Sequence, residues 1–306
     1  MVRSRVGEDT CPCGVVAPVG SFTVDAQEFL DLTATHNPHR WYLPVTNGLS
    51  TLGGFLFGGC GLGAAVLALE MATGRPVVWA TAQYLSYATP GSVLDLDVTV
   101  AVSGRNSTQA RVVGHVEDRE IFTVNAALGS RSTDSDQVWV EPIDVPRPED
   151  CPARSLRVPG EDSLMSRFET RLALARDWEQ LPGNPMERGR SALWVRIPEL
   201  TEPSAVALAI LGDYVPFGIG QSLGAYAGGN SLDNTLRVIR VVPSEWILVE
   251  VQVDGIGNGF GHGTVHLWAD DGTLMATASQ STIVRYWDPA GTTIGSRPSL
   301  PPQDRG

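Results

Sequence analysis

The chain repeats itself once. At a shift of 153 residues, which carries Pro90 onto Pro243, Thr81–Arg131 falls on the sequence from Asn234 onward without a gap. At that shift Val98 meets Val251, Val100 meets Val253, Gly104 meets Gly257 and Asp118 meets Asp271. A unit this long is a duplicated domain, since solenoid units run to roughly 20–50 residues. The two halves are therefore expected to share one fold. The chain has 306 residues, 42% hydrophobic, which is enough apolar material for two domains of ordinary size.

The later half is an antiparallel meander by pattern. Its apolar runs Leu236–Val242, Trp246–Val253 and Thr264–Trp268 are cut by turn residues, and Leu274–Arg285 follows the Asp270-Asp271-Gly272 turn. The earlier half matches it with runs at Val77–Tyr87, Val93–Ser103, Ser107–Val116 and Ile121–Leu128. Before them lies Leu62–Thr73, LGAAVLALEMAT, which is almost uncharged and so predicts a helix buried on most sides. A shorter apolar helix is expected at Ala205–Gly212, after a strand at Ser191–Pro198. Phe22–Asp31 reads as a short strand or helix, and Arg40–Leu43 as a strand. Gly218–Gly229 is glycine-rich, with no element assigned. The expected division is an N-terminal domain over 1–145, a Pro-rich linker over 146–190 with a mostly solvated helix at Asp162–Gln180, a C-terminal domain over 191–288 and a disordered tail over 289–306.

The halves differ where chemistry is expected. Asp233 sits at the mouth of a strand and falls on Ala80 of the first half, and Gln280 sits inside a strand and falls on Ala127. A carboxylate and a carboxamide in one copy, alanines in the other, point to a single active centre. Asp233 also suits a turn cap, and Gln280 needs either a buried partner or a wet pocket.

The formal net charge is −12, from 22 basic and 34 acidic residues, and no basic run stands out. Nucleic-acid binding is not expected, whereas a local arginine cluster can still hold an anionic ligand. No stretch reaches the roughly 18 unbroken apolar residues of a membrane helix, and the start lacks the apolar core of a signal peptide, so a cytoplasmic protein is expected. Cys11, Cys13, Cys60 and Cys151 make no disulfide framework, and Cys11-Pro-Cys13 lacks a second Cys/His pair for a metal. No metal or cofactor is expected. Cys60 near a helix start is read as packing rather than as an activated thiol.

Several segments, in this order and spacing, resemble the acyl-CoA thioesterase II family of double-hotdog proteins. They are Phe57-Gly58-Gly59, Thr89-Pro90-Gly91, Gly104-Arg105-Asn106-Ser107, Ala192–Arg196, Leu211-Gly212-Asp213-Tyr214, Leu232-Asp233-Asn234 and Leu274–Gln280 ending at Arg285. The resemblance spans about residues 20–290. It implies an α+β double hotdog: two helix-wrapped antiparallel sheets joined into one. It also implies hydrolysis of acyl-CoA thioesters, in lipid metabolism, by a water held on an Asp, a Gln and a hydroxyl residue. The Asp matches Asp233 and the Gln matches Gln280. Counting back from Asp271-Gly272, the hydroxyl position falls on Asp254, a departure from Ser or Thr, for which Asn258 or His262 would substitute if the hairpin register shifts.

Gly58 and Gly59 are expected to offer helix-start N–H groups to the substrate. Asp213 either caps a helix end or lines the pocket beside Tyr214. Arg105 faces either CoA phosphates or water. Exposed sheet edges favour a homodimer or larger assembly. Two other readings stay open. One is an enoyl-thioester hydratase or dehydratase, favoured by a near-match to that motif at His36-Asn37-Pro38-His39, which otherwise reads as a surface turn. The other is a non-catalytic acyl-thioester-binding accessory protein, and a carrier-protein thioester is an alternative substrate to CoA.

Overall fold

Alternation of buried and exposed side chains, the mark of a half-buried strand, runs through the first meander, while in the second Ile247–Val251 is buried on both faces. The computed structural model describes residues 22–132, 135–157, 160, 162–200, 203–287 and 293–294. Cys11 and Cys13 lie outside them. The first half contains α1 (Phe22–Leu30), β1 (Thr33–Ala34), β2 (Arg40–Pro44), α2 (Gly58–Thr73), β3 (Val77–Tyr84), β4 (Val93–Ser103), β5 (Ser107–Val116) and β6 (Arg119–Gly129). The second contains β7 (Glu169–Leu174), β8 (Arg190–Arg196), α3 (Ala205–Leu211), α4 (Val215–Leu223), β9 (Ala227–Ser231), β10 (Asp233–Val238), β11 (Ile247–Gly257), β12 (Phe260–Ala269), β13 (Leu274–Trp287) and β14 (Thr293–Ile294).

All fourteen strands join one sheet, in the order β1-β2-β4-β5-β6-β3-β10-β13-β12-β11-β8-β7, with β9 and β14 added on β13. The repeat is visible in it: β5 and β12 coincide end to end at the 153-residue shift. β3 and β10 form the antiparallel seam between the halves, with Thr81 opposite Thr235 and Ala80 opposite Leu236. This is the expected double hotdog.

Helix α2 is buried from Gly59 to Leu69 because its glycines and alanines leave room for neighbours on every side. A Cβ on Gly59 would stand 2.7 Å from the Ile210 carbonyl oxygen, so α2 and α3 meet backbone to backbone. Gly74, left-handed at φ +64°, ends α2 by donating its N–H to the Glu70 carbonyl at 2.8 Å. Ala205–Leu223, spanning α3 and α4, is apolar enough to cross a membrane by composition, yet 78% of its most apolar 18-residue window is buried inside the protein.

Two expectations for the 146–190 segment are corrected. The charged stretch Asp162–Gln180 is not a helix: it holds β7 between short 3-10 turns, and β7 pairs with β8. The preceding residues are not a free linker either. The Trp194 indole donates to the Pro146 carbonyl at 2.9 Å, and Cys151 packs with Trp194, Leu248, Trp268 and Leu274 in a second apolar cluster. Gly218–Gly229 contributes most of α4 and all but the last two residues of β9. Its glycines answer to packing, since a Cβ on Gly218 would lie 2.6 Å from Val251 Cγ1. Within the 289–306 tail, the described residues Thr293–Ile294 pair with Tyr286–Trp287. The His36–His39 stretch is an exposed turn, as expected.

Candidate active site

The inner face of β13 carries Ala276, Ala278, Gln280 and Thr282, all buried, while Thr277, Ser279 and Ser281 between them turn outward. Gln280 therefore points from the sheet at the helices. Opposite it stands Asp213, in the short break between α3 and α4. Ser231 ends β9 and lies across from Thr282 of β13. Three separate elements thus converge on one point.

Gln280 Nε2 donates to Asp213 Oδ1 and, at 2.7 Å, to Ser231 Oγ. The Ser231 hydroxyl donates to Asp213 Oδ1 at 3.1 Å. Two helix starts feed the same cluster with amides that lack an intrahelical acceptor. Gly59 of α2 donates to Asp213 Oδ2 at 2.7 Å, and Val215 of α4 donates to Gln280 Oε1 at 3.3 Å. Asp213 is 4% exposed. Burial pushes its carboxyl up to about 6, against the opposing pull of the Gln280, Gly59 and Ser231 hydrogen bonds. A carboxylate with that affinity is ionised at neutral pH yet still a usable base.

Asp213 and Ser231 line a cavity of about 700 Å³, and Gln280 stands behind them. One wall, from the first half, is apolar: Leu56, Phe57, Ala88, Ile121 and Phe122. Tyr84 also lines it, and its hydroxyl would be 3.0 Å from a Cβ on Gly58. That phenol and the nearby Asn234 amide are buried, and neither closes a hydrogen bond of ordinary geometry. Burial, with Asp213 next in effect, holds the phenol well above its usual range, so it stays protonated.

The expected site is only partly assembled. Gln280 is in it, but its carboxylate partner is Asp213, not Asp233. Asn234 and Leu236 are the buried, inward positions of β10, which turns Asp233 to the opposite face, where its Oδ1 accepts the Ser281 N–H at 2.9 Å. Asp254 is exposed at a bulge of β11 between Val253 and Gly255, and Asn258 is exposed in the following turn with φ 52°. His262 faces outward against Ser281, and Arg105 is exposed at its hairpin. None of these four lines the cavity. Tyr214 is buried, with its hydroxyl 3.9 Å from Met165 Sδ. Gly58 lines the cavity, and a Cβ there would crowd Asp213 Oδ2 at 2.7 Å. The Gly59 N–H is committed to Asp213 rather than free for a substrate. Cys60 is fully buried and its thiol is pushed far up by burial, as a packing residue's would be.

Ser231 and Tyr84 were missed by sequence reasoning. Ser231 lies just outside the gapless repeat, so the repeat gave no signal for it.

A family model described as the acyl-CoA thioesterase C-terminal domain matches residues 148–284, beginning inside the segment expected to be a linker. Among solved structures, a protein assigned as a thioesterase from Novosphingobium aromaticivorans DSM 12444 is 33% identical, with a TM-score of 0.74 over 82% of this chain and 97% of that one. A hot-dog-fold protein from Alicyclobacillus acidocaldarius superposes with a TM-score of 0.75 at 16% identity, over 85% and 97% of the two chains. The acyl-CoA thioesterase II TesB2 of Mycobacterium marinum gives 0.65 at 18% identity, over 85% and 98%. These last two speak to the fold alone. No curated protein sequence matches the chain.

Proposed function

The chain belongs to the acyl-CoA thioesterase II family of double-hotdog thioester hydrolases, and from that premise we propose that it hydrolyses acyl-CoA with a water held by Asp213, Gln280 and Ser231. The observation that carries this reading is the mutual hydrogen bonding of a carboxylate, a carboxamide and a hydroxyl at the wall of one cavity. Water is a weak nucleophile towards a thioester carbonyl. A carboxylate that accepts its proton as the C–O bond forms raises its reactivity. Gln280 fixes the carboxylate and the hydroxyl from behind, leaving the cavity side open for water. As the C–S bond breaks, the sulfur leaves with the electron pair and takes up the proton from Asp213. The products are the free acid and the thiol, and no covalent intermediate is needed.

For the carbonyl oxygen we assign Tyr84 as donor. Tyr84 lines the cavity, its hydroxyl is buried beside Asn234 without a hydrogen bond of ordinary geometry, and burial keeps it protonated. Tyr84→Phe is expected to lower kcat by about 10²-fold with KM nearly unchanged, the usual size for one oxyanion donor. A matching rise in KM would show instead that Tyr84 only shapes the pocket.

The base must be ionised to work. Activity should therefore rise about tenfold per pH unit below the Asp213 value of about 6 and level off above it. A kcat/KM profile from pH 4.5 to 8 checks this, and a flat line between pH 5 and 7 would remove Asp213 from the role.

Mass spectrometry of the protein incubated with a panel of acyl-CoAs tests the whole reading. Free CoA and free acid are expected. A mass change of one water on the thioester would mean a hydratase, and unchanged ligand that stays bound would mean a carrier.

A further inference from the structure

The cavity stops at one side chain. Of α2 it reaches only Gly58 and Gly61, of β3 only Tyr84, and of β6 only Ile121 and Phe122. One step further along the inner faces of those strands stand Ala82 and Val124, with Val112 on the neighbouring β5, and all three are buried and outside the cavity. The space between α2 and the first-half sheet is therefore filled beyond Phe122, which is itself 1% exposed.

Two glycines on different elements make the seat for this ring. A Cβ on Gly61 of α2 would lie 2.9 Å from Phe122 Cε1, and a Cβ on Gly114 of β5 would lie 2.7 Å from its Cζ. The ring thus reaches from the sheet to the helix and closes the gap between them. Gly114 stands directly opposite Phe122 in the β5–β6 pair, and Tyr84 stands directly opposite it in the β3–β6 pair. The Tyr84 and Phe122 rings meet edge to face, with centres 6.5 Å apart. The second half is built differently here. At the 153-residue shift Gly114 falls on Leu267, which stands opposite Ala276. The bulk of that pair sits on β12 in the second half, whereas in the first it has moved to β6, onto the residue that lines the cavity.

We propose that Phe122 is the stop for the acyl chain, so that the enzyme takes short acyl groups and excludes long ones. The inference rests on the thioesterase reading above and deepens it. With the thioester carbonyl on the Tyr84 hydroxyl, the carbons behind it run along the apolar wall of Leu56, Ile121 and Phe122. The Phe122 ring is the direct neighbour of the Tyr84 ring, so few carbons fit before it is met. A longer chain would have to displace a ring wedged between two backbones. Small buried residues lie behind it, Ala82 and Ala126 on the strands and Ala64, Ala65 and Ala68 on α2. Removing the ring would leave an apolar void there, and such a void takes hydrocarbon rather than water.

The first test is a kcat/KM series for the full chain on butyryl-, hexanoyl-, decanoyl- and palmitoyl-CoA. Wild type is expected to favour the short end, with palmitoyl-CoA at least about tenfold below butyryl-CoA. Phe122→Ala should raise the decanoyl-to-butyryl ratio at least about tenfold, the worth of two further buried methylene groups. Phe122→Leu keeps more of the core filled, should shift the ratio in the same direction, and serves if the alanine variant does not fold. Val124→Ala, equally buried on the same strand but outside the cavity, should leave the ratio within about twofold of wild type, which separates an opened wall from a loosened core. The second test is calorimetric titration with S-butyl- and S-decyl-coenzyme A, thioethers that cannot be hydrolysed. Relative to wild type, Phe122→Ala should gain at least about tenfold in affinity for the decyl over the butyl compound.

Wild type that hydrolyses palmitoyl-CoA as well as butyryl-CoA would overturn the proposal. So would unchanged ratios in folded Phe122 variants, or an equal shift in Val124→Ala. If no acyl-CoA is hydrolysed, the thioesterase reading fails, while the thioether titration still decides whether Phe122 closes the cavity.

Discussion

Asp213→Asn is expected to lower acyl-CoA hydrolysis by about 10³-fold, the contribution of a positioned general base, while leaving the chain folded. The asparagine keeps an oxygen for the Gln280 amide but has no affinity for the water's proton. Its effect on stability should run the other way. The folded chain holds the Asp213 proton more tightly than the unfolded one, because burial lifts the carboxyl from 3.8 to about 6. Stability is therefore lost as pH rises through that window, and the full penalty, about 3 kcal/mol, is present above it. At pH 8 that relief is offset by the asparagine NH2, which meets the Gly59 N–H donor at the Oδ2 position, so the variant should melt within a few degrees of wild type. Asp233→Asn serves as the contrast, since its carboxylate faces away from the cavity and a change there should stay within about threefold. Rates measured on both variants with the same acyl-CoA decide the matter. A dead Asp233 variant beside an active Asp213 variant would reverse the assignment.

The second large effect is on folding. Gly59→Val places a Cβ 2.7 Å from the Ile210 carbonyl oxygen and 2.8 Å from its Cα. These are backbone atoms of α3, with no flexible side chain to swing aside. The same residue supplies the N–H that holds Asp213 Oδ2. Overpacking here should destabilise the chain by about 3 kcal/mol or more and remove activity in whatever still folds. A urea titration reads the loss as a lower midpoint. Gly257→Ala, where the added methyl meets open space, should move the midpoint by less than about 0.5 kcal/mol. Equal midpoints for wild type and Gly59→Val would mean that α2 and α3 do not meet as closely as described.

Glycine was the residue most easily misread from sequence. No element was assigned to Gly218–Gly229, yet Gly218 and Gly220 each sit where a Cβ would strike something: Val251 Cγ1 at 2.6 Å, and the Ala227 carbonyl oxygen at 2.4 Å. The cost of glycine in a helix, about 1 kcal/mol against alanine, is offset here by the close approach it permits. Charge misled in the same way at Asp162–Gln180. Its arginines and glutamates suggested a solvated helix, but Phe168 and Leu172 are buried and β7 joins the sheet edge.

The sequence alone determined the duplication, the two meanders, the buried α2 and the place of Gln280 in the later half. Those features are local patterns, or one pattern written twice, and need no knowledge of what packs on what. Which carboxylate meets Gln280 was decided only in three dimensions. Asp213 and Gln280 are 67 residues apart, and Gly59 reaches Asp213 across 154. Strand parity decided the rest. Because successive side chains alternate between faces, Asn234 turned inward with Leu236 and Asp233 outward with Thr235 and Arg237, and the β3–β10–β13 pairing holds that register.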